Sequence, residues 1–244
     1  MNIPTNHPRR ASLEQRHALE KGLNQGIVTP TGMIAFGRGE AFDYLLGEKT
    51  TNNAQKACRA AAAMLLLSRH AVLSVNGNTA MLCAKNVIRL AQTTGAQIEA
   101  NVFYPPVKKR RALIARHFEK LGKKILGKNT SKKIPGLASN RSLVEEKGIF
   151  SADTVLVMVE DGDRTQALRK TGKKIVAIDL NPKSRTAIAA HVTIVDNVVR
   201  AVPEIARHAQ KLRNKNTEEL EKIVAAFDNG KSLKEALAFM KKRA

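Results

Sequence analysis

Short runs rich in valine and isoleucine alternate with helix-forming segments from about residue 70 to residue 212. Strands that are covered on both faces form short continuous apolar runs, and these occur almost only in parallel sheets whose crossovers are helices. The alternation therefore predicts the α/β class, with a parallel sheet flanked by helices.

The predicted strands are residues 71–75, 97–103, 124–126, 154–159, 174–178 and 192–195. The crossover helices are predicted at residues 79–92, 110–121, 164–170 and 202–211, with right-handed connections. The region before residue 70 is predicted to be helical, at residues 12–22 with Ser12 as the cap and at residues 54–69. Two further helices are predicted at 217–227 and 233–242, joined by an Asp228-Asn229-Gly230 turn.

The domain organisation follows from these elements. An N-terminal helical region (1–69), a sheet-containing ligand-binding core (70–212) and C-terminal helices (213–244) are expected to form one structural domain. The glycines and Pro135 in residues 128–150 predict a long functional loop or an insertion.

Composition narrows the class of protein further. With 43% apolar and 26% charged residues, the chain resembles ordinary soluble globular proteins. Its two cysteines, Cys58 and Cys83, lie in apolar runs, which excludes a disulfide framework and favours a reducing, cytoplasmic location. The longest apolar run, residues 60–67, is too short to span a bilayer, and the N-terminus lacks the apolar centre of a signal peptide.

The charge balance indicates anionic partners. The chain has 42 Lys and Arg against 21 Asp and Glu, and residues 108–141 contain twelve basic residues and one acid, Glu119. This segment is either a nucleic-acid patch or a solvated basic surface. Because aromatic residues make up only 4% and tryptophan is absent, stacking platforms are scarce, and no specific nucleic-acid partner is expected.

Polar clusters follow four of the predicted strands, at the carboxyl ends where ligands bind in open parallel sheets. In Ser74-Val-Asn-Gly-Asn78, a glycine between asparagines at a helix start lets backbone amides approach a phosphate or carboxylate; the alternative is a simple turn. In Glu160-Asp-Gly-Asp-Arg-Thr165, Glu160, Asp161 and Asp163 are candidates to hold Mg²⁺ or orient an amine, and Arg164 to neutralise phosphate. Asp163 alone would also serve as a helix cap.

Three further segments contain candidates for nucleotide contacts. Asp179 stands at a strand end, where an acid commonly accepts ribose hydroxyls, and Ser184 and Arg185 are placed for phosphates. Asp196 and Asn197 serve either as ligands or as caps of the next helix. Arg38 stands between two glycines that leave room for a phosphate, unless the segment is only a flexible surface loop.

Several familiar motifs are missing. The chain has no GxxxxGK[ST] loop, no strand-linked GxGxxG, no CxxC pair and no HExxH, and its six histidines are scattered. Taken alone, the motifs predict a phosphate-rich ligand on a doubly wound sheet.

Eight blocks together resemble one known family. They are IPTNHPRRxSLxxR (3–16), GRGEAFDYLLGEKT (37–50), SVNGN (74–78), IPG (134–136), VxxEDGDRTxAL (157–168), DLNPxSRTA (179–187), TIVDNVVRA (193–201) and FDNGKSLxEAL (227–237). Their order and spacing over nearly the whole chain are similar to those of the archaeal-type phosphopantothenate synthetase family, also called 4-phosphopantoate–β-alanine ligase.

The resemblance implies a Rossmann-like homodimer and an ATP-dependent, AMP-forming ligase of coenzyme A biosynthesis. Such an enzyme joins (R)-4-phosphopantoate to β-alanine through an acyl-adenylate, with Mg²⁺ accompanying ATP. The sequence leaves open whether the acid must be phosphorylated, since pantoate differs from phosphopantoate by one anionic group.

The resemblance also assigns residues. It places ATP against Arg16, Arg38, Asp179, Leu180, Asn181, Ser184, Arg185, Asp196 and Asn197. The other two substrates are expected near Asn76, Gly77, Asn78 and Asn101, with Glu160, Asp161, Asp163 and Arg164 as the catalytic group.

Overall fold

Helices surround a central sheet in residues 3–243, the part of the chain that the computed structural model describes. The α-helices are α1 Arg10–Asn24, α2 Pro30–Leu46, α3 Asn52–Leu67, α4 Gly77–Thr94, α5 Val107–Glu119, α6 Gly162–Lys170, α7 Arg185–Ala189, α8 Val198–Leu212, α9 Thr217–Ala225 and α10 Asn229–Lys241. The strands are β1 Ala71–Val75, β2 Gln97–Ala100, β3 Lys132–Lys133, β4 Leu143–Val144, β5 Thr154–Met158, β6 Lys174–Ile178 and β7 Val192–Ile194.

Five strands form one parallel sheet in the order β2-β1-β5-β6-β7, which confirms the predicted α/β architecture. The chain passes from β1 outward to β2 and then returns to β5 on the other side of β1, with Ser74 paired to Glu99 on one side and to Val157 on the other. The strand order therefore reverses between β1 and β5. In open α/β sheets, this reversal point is where ligands bind, beyond the carboxyl ends of the strands.

Both faces of the sheet are buried, as the continuous apolar runs predict. Leu73 and Leu156 belong to the main core, together with residues of α3, α4 and α8. Val72 and Val155, the preceding residue on each strand, belong to a second core that includes Leu168 of α6. Successive side chains of a strand point to opposite faces, so every position of a doubly covered strand must be apolar.

One predicted strand is wrong, and three others extend too far. Residues 124–126 form no strand; only Leu126 pairs with the sheet, through a single bridge to Glu99 at the edge of β2. Gly127 follows with φ +112°, a conformation that favours glycine and turns the chain away from the sheet. The strands predicted at 97–103, 154–159 and 192–195 end at Ala100, Met158 and Ile194.

Several helices begin earlier than predicted, because their caps lie further upstream. Asn76 caps α4 by accepting a hydrogen bond from the backbone N–H of Thr79, and Asn197 caps α8 through Val199. Ser12 is not a cap; it lies inside α1 and donates to the Arg9 carbonyl. The predicted turn at 228–230 is the start of α10, capped by Asp228.

Arg38 lies within α2 and not in a loop. Thr29 caps this helix, and Pro30 occupies its first position, where proline is favourable. Residues 128–150, predicted as a loop or an insertion, contain the short antiparallel pair β3–β4, a 3₁₀ turn Asn140–Ser142 and a helical turn Glu146–Phe150. Both cysteines are free and buried. Among residues 3–243, no helix combines the length and apolar character that crossing a bilayer requires.

Candidate active site

Four helices start at the carboxyl ends of sheet strands. Helices α4, α6, α7 and α8 follow β1, β5, β6 and β7, so their N-termini converge on one edge of the sheet. The N-terminus of a helix carries a partial positive charge and unpaired backbone N–H groups. This edge therefore favours anions such as phosphates and carboxylates.

The end of β1 is joined to the end of β5 by Asn76. Its Nδ2 donates to the carbonyl oxygens of Met158 (2.9 Å) and Val159 (3.1 Å), while its Oδ1 accepts from the N–H of Thr79. Val159 has φ +50°, which is rare for a β-branched residue and is typical of functional sites. The amide of Asn76 is thus occupied by the protein and holds the two strand ends together.

Gly77 is required by the close approach of another segment. A Cβ atom at this position would overlap the carbonyl oxygen of Ile27, which precedes α2. Next to it, Asn78 Nδ2 donates to the carbonyl oxygen of Gly32 in α2 (2.8 Å). The SVNGN motif therefore brings α2 over the carboxyl end of the sheet.

Asp179 organises the loop after β6. Its carboxylate accepts from the N–H of Asn181 (2.9 Å) and from the hydroxyl of Ser184 (2.5 Å), and Ser184 also caps α7. Burial raises the pKa of Asp179, and the hydrogen bonds from Ser184 and Asn181 oppose this shift.

Asp196 and Asn197 connect the end of β7 to α2. Asp196 accepts from Thr50 Oγ1 (2.6 Å) and pairs with Arg200 (2.6 Å), and Arg200 also pairs with Asp43 of α2 (2.5 Å). Asn197 donates to the same Asp43 (2.9 Å). Burial raises the pKa of Asp196, whereas Arg200 lowers it.

A cavity of about 280 Å³ lies between α2 and the ends of β6 and β7; we call it the β6–β7 cavity. Polar groups of Asp179, Asn181, Ser184, Asp196 and Asn197 line one part of it. The apolar part of its wall consists of Phe36, Phe42, Leu82, Ile178, Leu180 and Val198. An apolar wall beside hydroxyl-binding polar groups suits a nucleoside.

A second cavity, of about 190 Å³, lies at the ends of β1 and β5 where the strand order reverses; we call it the switch-point cavity. Asn76, Gly77 and Asn78 line it, as do Phe103 and Tyr104 from the loop after β2. The two cavities adjoin, because both are lined by Ala35, Arg38, Asn78, Val159 and Asp161.

Three arginines line the switch-point cavity: Arg38, Arg110 and Arg141. Among the described residues, neither Arg38 nor Arg110 forms a salt bridge with an acid, although Arg110 donates to the carbonyl oxygen of Gly26 (2.5 Å). Arg141 pairs with Glu160 and Asp161, each at 2.9 Å. The cavity therefore has uncompensated positive charge and suits an anion.

Glu160 is saturated by protein partners. Its side chain is 2% exposed and pairs with Arg164 and Arg141, and it also accepts from the N–H of Asp161 (2.9 Å). Arg164 is fully buried and also donates to Ser74 Oγ (3.1 Å). These two residues form a buried ion pair at the wall of the β6–β7 cavity, which Glu160 lines, while Asp161 is the carboxylate of this motif that lines both cavities.

Five of the predicted residues lie outside the lining of both cavities. Arg16 makes a two-pronged ion pair with Glu40, Asn101 is buried against the backbone of residues 141–143, and Asp163 is exposed on α6. Arg164 is buried under the site, and Arg185, the first residue of α7, packs against Gly162, the first residue of α6. The other predicted residues line one or both cavities, and Glu160 lines only the β6–β7 cavity.

Arg110 and Arg141 are functional candidates that the sequence motifs did not reveal. Both belong to the basic segment 108–141, which the composition favoured as a solvated surface. Only the charge of that segment pointed toward them. Arg110 is brought to the cavity by the start of α5, and Arg141 by the turn Asn140–Ser142.

The acidic residues of the site are mostly engaged with arginines or hydroxyls. Among residues 3–243, no three His, Cys, Asp or Glu side chains are grouped so that they could hold a metal ion. Mg²⁺ often keeps several waters and binds through one or two carboxylates plus substrate phosphates. Asp161, about half exposed, fits that limited role.

Comparisons with known proteins identify the family of the chain. The family described as phosphopantothenate/pantothenate synthetase matches residues 53–243. The chain is 48% identical to a 4-phosphopantoate–β-alanine ligase of Thermococcus kodakarensis, over 100% of this chain and 94% of that protein. It is 46% identical to a protein of that name from Thermococcus onnurineus (100% and 94%) and 44% identical to one from Methanosarcina mazei (97% and 93%).

Proposed function

Since the chain belongs to the phosphopantothenate/pantothenate synthetase family, we propose that it is an ATP-dependent ligase that joins 4-phosphopantoate to β-alanine. The observation that carries this proposal is the pair of adjoining cavities with Arg38 on their common wall. A ligase must bring the phosphate of one substrate next to the carboxylate of another. The two cavities provide that arrangement. They meet at Arg38, which has no acidic partner among the described residues.

ATP would occupy the β6–β7 cavity. Its base would lie against the apolar wall, and the ribose hydroxyls would be within reach of Asp179, which stands at a strand end as in dinucleotide-binding folds. Asp196 and Asn197 supply further polar groups. The phosphates would then extend toward Arg38 and the start of α6, whose cap residue Asp161 makes no side-chain cap hydrogen bond.

The phosphorylated acid would occupy the switch-point cavity. Arg110 and Arg141 line this cavity away from the β6–β7 cavity, and Arg38 lines both. Arg38 would serve the carboxylate next to ATP. A second anionic group would meet Arg110, which has no acidic partner among the described residues, and Arg141, whose guanidinium also pairs with Glu160 and Asp161. This charge distribution favours phosphopantoate over unphosphorylated pantoate.

The reaction would proceed in two steps. A carboxylate oxygen of phosphopantoate attacks the α-phosphorus of ATP, a P–O bond forms, and diphosphate leaves with the electrons of the broken bond. The amine of β-alanine then attacks the carbonyl carbon of the acyl-adenylate, loses a proton and displaces AMP. Both steps bring anions together, and a fixed guanidinium at their meeting point stabilises the developing charge without reorganisation.

Asp161 is the candidate for orienting the amine. It lines both cavities, and its partial burial raises its pKa, an effect that Arg141 opposes and that the neighbouring Glu160 and Asp163 reinforce. A carboxylate with a raised pKa is better matched to accept a proton near neutral pH. Mg²⁺ would neutralise charge on the triphosphate, and Asp161, which pairs with Arg141 but is about half exposed, is the carboxylate that would meet it.

The assembly and location of the protein are also part of the proposal. The family resemblance supports a homodimer, and the exposed apolar side chain of Ile34 (64%) on α2 is available for a protein contact. Two free, buried cysteines support a reducing, cytoplasmic compartment. Light scattering on the purified protein tests the dimer, and a monomer at micromolar concentration would contradict it.

The decisive experiment is a product assay. ATP, phosphopantoate and β-alanine should yield AMP, diphosphate and the amide in equal amounts, and pantoate in place of phosphopantoate should react far less well. Formation of ADP and phosphate would refute the adenylate mechanism. Equal kcat/KM for pantoate and phosphopantoate would refute the role assigned to the arginines.

A further inference from the structure

Glu99 is a buried carboxylate on the edge strand of the five-stranded sheet. It belongs to β2, its side chain is fully buried, and it accepts hydrogen bonds from the backbone N–H groups of Glu145 (3.1 Å) and Ile149 (2.7 Å). A Cβ atom at Gly148 would overlap its Oε2. A buried charge is costly unless it is paired and hydrogen-bonded, so this residue is held for a specific contact with residues 145–149.

Two more buried side chains attach the preceding residues of the same segment. Asn101 Nδ2 donates to the carbonyl oxygens of Arg141 (3.1 Å) and Leu143 (3.3 Å). Arg111 of α5 donates to the carbonyl oxygen of Leu143 (2.7 Å) and to that of Gly127 (3.2 Å). We call residues 140–149 the anchored segment, because its backbone is hydrogen-bonded by three buried side chains: Glu99 of β2, Asn101 just after β2 and Arg111 of α5.

The anchored segment carries Arg141 into the switch-point cavity. The guanidinium of Arg141 pairs with Glu160 and Asp161, but its backbone has no pairing to the five-stranded sheet; the short pair β3–β4 involves Leu143 and Val144. The backbone position from which Arg141 reaches the cavity therefore depends on the buried groups beneath it. A displacement of about 1 Å in a substrate-positioning group can cost a factor of about one hundred in rate.

Glu99 also balances buried positive charge. Arg111 is 2% exposed and Arg164 is fully buried, and both guanidinium groups lower the pKa of Glu99, which burial raises to about 7. Among the described residues, Arg111 Nε, Arg164 Nε and Arg164 Nη2 have no hydrogen-bond partner. Removal of the carboxylate charge would leave these two arginines with less compensation in the interior.

We propose that Glu99 is a positioning residue for the phosphorylated acid: by holding the anchored segment, it sets the place of Arg141 in the switch-point cavity. This inference rests on the proposed function, because the cavity is taken to bind phosphopantoate. Glu99 itself does not line either cavity.

The test is Glu99→Gln, assayed for KM with each substrate. Glutamine keeps the shape of glutamate and one acceptor oxygen. Its NH₂ group, however, would face the backbone N–H of Glu145 or Ile149, so that two hydrogen-bond donors would oppose each other. We expect KM for phosphopantoate to rise about tenfold or more, as for loss of a hydrogen bond to a charged group, with KM for ATP changed less than about twofold. The matched control is Glu146→Gln, an exposed acid of the same segment that pairs with Lys132 (3.1 Å) and should retain both KM values.

A double-mutant cycle separates positioning from general loss of structure. If Glu99 acts through Arg141, then in the Arg141→Lys background Glu99→Gln should raise KM for phosphopantoate much less than it does alone. Additive effects of the two substitutions would overturn the inference, as would equal increases in KM for both substrates. If circular dichroism shows that Glu99→Gln does not fold, Asn101→Ala is measured instead, because it removes a second anchor of the segment. It should likewise raise KM for phosphopantoate and leave KM for ATP nearly unchanged.

The outcome for the wild-type protein keeps the two proposals apart. Failure of the wild type to form AMP and amide would reject the proposed function. An active wild type with an unchanged KM for phosphopantoate in folded Glu99→Gln would reject only the role of Glu99.

Discussion

Arg38→Lys should impair the use of ATP and of phosphopantoate together. Arg38 is exposed on α2, lines both cavities and forms no salt bridge among the described residues. Its guanidinium therefore supports no internal ion pair that the substitution could break. Lysine keeps the charge but loses the planar fork that binds two oxygens of a phosphate or carboxylate.

The size of the effect follows from the second hydrogen bond of that fork, which lysine cannot form in the same plane. A hydrogen bond to a charged group contributes about 1.5 to 3 kcal/mol, which corresponds to about a ten- to hundred-and-fifty-fold loss of kcat/KM. Because Arg38 stands where the two cavities meet, kcat/KM should fall by a similar factor for both substrates. Arg38→Ala, which also removes the charge, should lie at or beyond the upper end of this range.

The assay is steady-state formation of AMP with one substrate varied at a time. Arg10→Lys is a suitable control, because Arg10 is an exposed arginine of α1 that pairs with Glu14 (2.7 Å) and lines neither cavity. Circular dichroism should show the native fold for both variants. Wild-type kcat/KM for both substrates in Arg38→Lys would refute two-pronged recognition at this position, and a loss confined to one substrate would refute its placement on the shared wall.

Three further predictions concern stability. Gly77→Ala should lower the free energy of unfolding by about 1 to 3 kcal/mol, because the new methyl group would overlap the Ile27 carbonyl oxygen; a denaturant titration with an unchanged midpoint would contradict this. Glu160→Gln should cost about 3 to 5 kcal/mol, because it leaves the buried Arg164 without its ionic partner, and a melting temperature within about one degree of wild type would show that the pair is not essential. Glu99 has a folded-state pKa of about 7, above its ordinary 4.5, so its favourable contribution is present below about pH 4.5 and is lost as the pH rises through 7. The stability of wild type relative to Glu99→Gln should therefore fall by about 3 kcal/mol over that interval, and a difference independent of pH would refute the shifted pKa.

Most of the sheet could be predicted from the sequence, because its signal is local. A strand buried on both faces must be apolar at every position, and such runs are visible without knowledge of their neighbours. The failure at 124–126 has the same origin: Ile125 and Leu126 are apolar, but only Leu126 reaches the edge of β2, and the glycine after it turns the chain away. Helix starts were misplaced where the capping side chain lies upstream of the helical pattern, as at Asn76 and Asn197.

The residues of the candidate site that follow strands could be placed together from the sequence. Asp179, Asp161 and Asn78 stand shortly after apolar runs, and the carboxyl ends of parallel strands must meet at one edge of the sheet. By this rule the sequence alone brings these positions together. The polar character of the residues predicts a ligand, and the resemblance of eight ordered blocks predicts which one.

The tertiary structure alone decided which of those polar side chains are open to the cavities and which are paired in the interior. Glu160 and Arg164 belong to the same motif as Asp161, yet they are paired with each other in the interior, and only the packing of α6 on the sheet distinguishes them. Arg141 and Glu99 are 42 residues apart and share no motif. Their relation exists because a buried carboxylate needs hydrogen-bond donors, and the fold supplies them from the backbone of the segment that brings Arg141 to the cavity. Local composition determines which segments are buried, but the partner of a buried charge is set by long-range packing.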